Sequence, residues 1–257
     1  FASLSELSIN ATKISIKSNS FTGCSSLESI DLNVQEINID QGTFSSALSS
    51  LSINYQGKSF NSGMASFVST NINEITVDVT GDVEFNQETA LNSYVKNIYV
   101  KAQNVVFSQK SFQDVKGIEK FEVEANGTIT IQQEAFINAE VGEIEFTAGN
   151  EISINQKSFQ GAKNTHKLEL NSNGTVSLKQ ESFLGSSVQS IEIESRGKVD
   201  LAQKSFQDCF NISKLEIESE EAGIILEQES FISSSIGQVL LSGKDDIIIK
   251  QKALQSV

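Results

Sequence analysis

Five glutamates recur at near-constant spacing through the middle of the chain: Glu122, Glu145, Glu169, Glu192 and Glu216. A row of carboxylates attracts a basic partner or ligates Ca²⁺, whose ligands are oxygens. Two carboxyls about 5–10 Å apart hydrolyse glycosidic bonds. Here no pair is set apart from the others, and there is no Trp to stack on a sugar, which speaks against a polysaccharide-acting enzyme. The row reads as a contact strip or as a solvated sheet face, with Lys120, Lys167 and Lys214 in alternate copies compensating part of its charge. His166 is the single histidine. A catalytic triad or His-rich metal site would rest on it alone, and no nucleophile motif accompanies it, so it reads as a surface side chain. No cofactor is expected.

Cys24 and Cys209 each lie three residues after a repeated Phe, a slot filled elsewhere by small residues such as Ala139 and Ala162. About seven repeats separate them, on the order of 30 Å at the usual strand spacing. That is beyond disulfide reach, so both are expected to be buried and free. Sequons occur at Asn10, Asn126, Asn173 and Asn211; in a secreted chain these are glycan acceptors. Asn126 and Asn173 occupy the same turn, two repeats apart.

What must position these residues is a repeat. Gln-Lys/Glu-Ser/Ala-Phe tetrads end at Phe112, Phe136, Phe159, Phe183, Phe206 and Phe231. Weaker copies end at Phe21, Phe44, Phe67, Leu91 and Leu254, and Phe1 stands where one more would end. A fixed period in this range is the signature of a solenoid. Between tetrads the pattern alternates twice, as in Glu143-Ile144-Glu145-Phe146 and Ile152-Ser153-Ile154 around Gly149-Asn150. Each coil therefore supplies two short half-buried strands and a turn, and only neighbouring coils can bury its apolar face.

Two further rows follow the period. Gln87, Gln109, Gln133, Gln156, Gln180, Gln203, Gln228 and Gln251 are expected to stack as an amide ladder, bonding one another or the turn backbone. The next residue alternates in sign: Glu88, Lys110, Glu134, Lys157, Glu181, Lys204, Glu229, Lys252. A slip by one coil would oppose like charges, so the row favours correct stacking. It also makes the unit a coil pair, in agreement with the later strand start after Phe112, Phe159 and Phe206.

The net charge is −14. It disfavours nucleic acid, whose recognition needs Lys/Arg patches, and permits a basic protein. No apolar run is long enough to span a membrane. Neither end carries a polar capping repeat, so a segment of a longer repeat protein, or ends that meet another chain, is expected.

Phe21-Thr-Gly-Cys24-Ser-Ser-Leu27-Glu-Ser-Ile30-Asp-Leu32, and Phe206-Gln-Asp-Cys209 with Leu215 and Ile217, resemble the BspA-like class of leucine-rich repeats. As a period the resemblance covers nearly the whole chain; the motif itself is specific in two or three coils. The chain departs from the class in lacking the Ile-Pro that follows its strand, and in a second segment that alternates like a strand. The resemblance implies a curved solenoid and a cell-surface or secreted protein of adhesion or recognition, with a right-handed parallel β-helix as the alternative fold. The expectation is thus an all-β solenoid of about eleven 23–24-residue coils with two short parallel strands each, one domain over residues 1–257. Its expected function is non-enzymatic binding or adhesion through an elongated face at the cell surface or outside the cell. The alternative is self-association into filaments or matrix.

Overall fold

The computed structural model describes residues 3–44 and 51–255; Phe1 and Val257 lie outside them. The alternating segments form two parallel sheets running the length of the molecule. The long sheet has eleven strands in chain order: Glu6–Ile16, Ser29–Ile39, Leu51–Gly57, Asn71–Val79, Tyr94–Ala102, Ile118–Ala125, Val141–Ala148, Thr165–Ser172, Val188–Ser195, Ile212–Ser219 and Ile236–Gly243. The short sheet has nine strands, from Phe60–Asn61 to Ile247–Ile249; both counts are of the described residues. In the first two coils one strand turns the corner unbroken, so that Ile14 pairs with Ile37 and Glu36 bridges Ser59, beside the first short-sheet strand. Among the described residues there is no helix long and apolar enough to cross a membrane.

Inward residues of both sheets close a single core. Phe121, Val123, Ile144, Phe146, Leu168 and Leu170 on the long sheet, and Ile129, Ile131, Ile152 and Ile154 on the short one, are fully buried. The repeated Phe residues stack through it as a column. From Phe112 through Phe136, Phe159, Phe183 and Phe206 to Phe231, successive centroids lie 4.9–5.1 Å apart with planes within 3–12°. Phe21, Phe44 and Phe67 make a second run.

The column is interrupted once. The Phe67 and Ala90 amides donate to Thr89 and Ser111, as the Phe112 amide does to Ala135. The weak copy therefore ends at Ala90, which is fully buried, and not at Leu91, which is half-exposed. Short-sheet aromatics fill the space: Phe85 packs on Phe107 at 4.8 Å and edge-on against Phe112 at 5.5 Å.

These bonds also show that the tetrads are not loops. They stack as a third ladder, in which each Phe amide donates to the carbonyl one coil on, for example Phe159 to Ser182 and Phe183 to Ser205, both at 2.7 Å. The Gln ladder is the expectation that fails. The side chains of Gln109, Gln133, Gln180, Gln203, Gln228 and Gln251 are exposed and form no hydrogen bonds with one another. The backbone carbonyls do the bonding: Glu134, Lys157 and Glu181 donate to Gln156, Gln180 and Gln203 at 3.3 Å. The reason is the residue that follows. All eight of the alternating Lys/Glu residues are left-handed, with φ of 57–61°. That conformation turns the Gln outward and brings the small Ser or Thr inward, as at the fully buried Ser158 and Thr89.

The coil-pair unit has an equally local cause. Gly117, Asn164 and Asn211, in alternate coils, adopt φ of 77°, 65° and 67°. Each is one extra residue ahead of the long-sheet strand, a bulge of the kind that needs a left-handed backbone. It delays the strand after Phe112, Phe159 and Phe206.

Candidate functional site

The long sheet presents its outward residues in straight rows because every strand pairs in register with the next. Glu122 lies opposite Glu145, Glu145 opposite Glu169, Glu169 opposite Glu192, and Glu192 opposite Glu216. Tyr99 precedes the row and Leu240 ends it. Directly opposed like charges repel, and the adjacent row answers them. Lys120 straddles Glu122 at 2.8 Å and Glu145 at 3.0 Å. Lys167 reaches Glu145 at 3.6 Å and touches Glu169. Lys214 reaches Glu192 at 3.4 Å and touches Glu216.

All five glutamates are thus held, and the expected partial compensation is an interlaced strip of five anions and three cations. Hydrogen bonds from Lys167 and Asn171 hold the Glu169 carboxyl below the usual carboxylate range. The bonds that the Lys120 ammonium donates to Glu122 and Glu145 push its own pKa up. The groups are part-exposed, so water screens each pair and no single one adds much stability. What the strip offers a partner is a flat, patterned face of fixed charges. Among the described residues no group of three or more His, Cys, Asp or Glu is arranged to hold a metal, so the Ca²⁺ expectation finds no site there.

The sign-alternating row pairs within coil pairs: Lys110–Glu134 at 3.8 Å, Lys157–Glu181 at 3.7 Å and Lys204–Glu229 at 4.0 Å. Cys24 and Cys209 are buried and free, as their slot requires. The Cys209 thiol donates to the Phe183 carbonyl at 3.0 Å, and burial pushes its pKa up to about 12. His166 is exposed, in one outward row with Glu119. Asn10, Asn126, Asn173 and Asn211 are all exposed. Asn10 lies on the first strand, Asn126 and Asn173 at the corner between the sheets, and Asn211 at a bulge.

Where the chain enters the long sheet, residues to which the sequence assigned no site role gather around His166. Tyr94, Gly117, Glu140, Gly142, Glu143 and His166 line a shallow groove of about 320 Å³. The only signal for it in the sequence is the glycine at 117, in a slot that holds Asn in the next two long coils.

A family model described as BspA type Leucine rich repeat region matches the chain in six copies, over residues 1–119 and 129–256. No curated protein and no solved structure is significantly similar to it.

Proposed function

Because the chain belongs to the BspA-type leucine-rich repeat family, we propose that it is a non-enzymatic extracellular or cell-surface protein that binds a protein partner or mediates adhesion through the outward face of the long sheet. The family supports the general role, since such repeats commonly present protein-binding surfaces. The observation that carries the choice of face is the strip from Glu122 to Glu216, whose carboxylates are fixed in register and locked by three lysines. Fixed charges lose little freedom when a partner docks, which favours specificity over bulk attraction. Export makes Asn10, Asn126, Asn173 and Asn211 glycan acceptors; all four are exposed, and a glycosidase-sensitive mass shift in secreted material tests this.

The test of the face is the triple variant Glu145→Gln, Glu169→Gln, Glu192→Gln in surface plasmon resonance against a panel of extracellular proteins. Binding by the parent chain that the variant loses, with an unchanged melt, is the expected result. Equal binding by both removes the strip from the function.

A further inference from the structure

The groove at the entry to the long sheet is the one hollow among those described that combines an exposed aromatic ring with unpaired carboxylates. Tyr94 is 46 % exposed, and its ring lies directly over Gly117, where a β-carbon would overlap it. The equivalent bulges carry Asn164 and Asn211, so the left-handed backbone does not itself demand glycine. Room for the ring does. Gly142 lies between Glu119 and His166 in the outward row, and a side chain there would crowd the Glu119 carbonyl at 2.7 Å. Its absence opens the floor.

Two carboxylates stand over this floor without an ion pair, although Lys163 lies beside Glu140 on the next coil. Glu119 is paired with Lys96 at 3.7 Å, but neither Glu140 nor Glu143 has an ion-pair partner within 4.0 Å among the described residues. Lys120 and Lys167 flank Glu143 in register, yet both are committed to the Glu122–Glu169 segment of the strip. The larger hollow around Lys198, Lys244, Asp245 and Asp246 has charges of both signs and no aromatic wall.

We propose that the Tyr94 groove receives a single arginine side chain of a protein partner. Its guanidinium plane lies against the Tyr94 ring, and Glu140 and Glu143 accept its hydrogen bonds. This goes beyond binding through the long-sheet face: the site lies at the corner of the coil, and either surface can fail with the other intact.

The probe is Nα-acetyl-arginine amide, with Nα-acetyl-citrulline amide as its neutral isostere, titrated into the 257-residue chain at low salt. His166 lines the groove and is the only histidine, so its imidazole NMR signal reports on this site alone. The expected result is a saturable shift with a Kd on the order of 1–10 mM, absent with citrulline. Tyr94→Ala should weaken it about two- to fivefold, Glu140→Gln with Glu143→Gln should abolish it, and Tyr94→Phe should preserve it in a chain that keeps its ring and fold. Glu192→Gln with Glu216→Gln, which alters the strip but leaves Lys120 and Lys167 paired, should titrate like the parent. A shift that is linear, equal with citrulline, or unchanged in the Glu140/Glu143 variant overturns the proposal.

Discussion

Replacing Ala90 by Phe would make the repeat more regular, and the structure says it will make the protein less stable. Ala90 occupies the only slot in the described column, from Phe21 to Phe231, that lacks a ring. The space is already used. Phe85 and Phe107 stand on the short sheet where later coils carry Ile131, Ile154, Leu178 and Leu201. Phe85 reaches across to 5.5 Å from Phe112, and all three rings are fully buried. A ring at position 90 must displace one of them. Overpacking of this kind costs about 1–3 kcal/mol. Adding Phe85→Leu to Ala90→Phe re-creates the arrangement of the later coils and should return the loss to within about 1.5 kcal/mol. Both are read from urea denaturation by far-UV circular dichroism, since the chain lacks Trp. The apparent midpoint is compared with the parent, because long repeat arrays need not unfold in two states. An Ala90→Phe single variant more stable than the parent would show that position 90 is an unfilled slot and that the aromatic compensation is wrong.

Burial that raises the Cys209 thiol to about 12 means that the folded chain keeps its proton where an unfolded thiol, titrating near about 8.5, loses it. Stability then falls as pH rises above about 8.5, by up to about 1.4 kcal/mol per pH unit. Cys209→Ala should flatten denaturation midpoints between about pH 8.5 and 10, below the range where Tyr55, also pushed up to about 12, contributes. Lys157 has φ of 59°, a conformation that costs a non-glycine residue about 1 kcal/mol. Lys157→Gly should therefore be neutral or stabilising by up to about 1 kcal/mol, and a loss of more than that in the same urea assay contradicts the left-handed assignment. Lys167→Ala removes two part-exposed pairs and should lower stability by less than about 1 kcal/mol, an effect that shrinks in high salt.

The period, the Phe column, the two strands per coil and the registered glutamate row were legible because they follow from side-chain type at fixed spacing. Opposed Glu145 and Glu169, or stacked Phe136 and Phe159, need nothing more than coils lying over one another. The Gln row was misread because local backbone conformation, not spacing, decides which way the tetrad faces. Lys and Glu are not residues that announce a left-handed φ, so nothing marked Lys157 or Glu181 as the point where the chain turns the Gln outward. Leu91 was preferred to Ala90 because it is apolar and large, although the distance from Gln87 pointed to Ala90. The groove was invisible for a different reason. Tyr94, Gly117, Glu140 and His166 belong to four different coils, and a single coil read alone shows none of the hollow they make.

The bulges at Gly117, Asn164 and Asn211 set the grain at which this molecule can change in length. Removing a stretch such as 136–182 (183 − 136 = 47 residues) joins Phe183 to the place of Phe136. The splice leaves the long and short strand entries, and the positive and negative turn residues, in their original order. Removing a single coil sets two entries of the same kind side by side and opposes like charges at the seam. Gains and losses of the array during evolution, or in engineered shortened forms, are therefore expected to be tolerated two coils at a time.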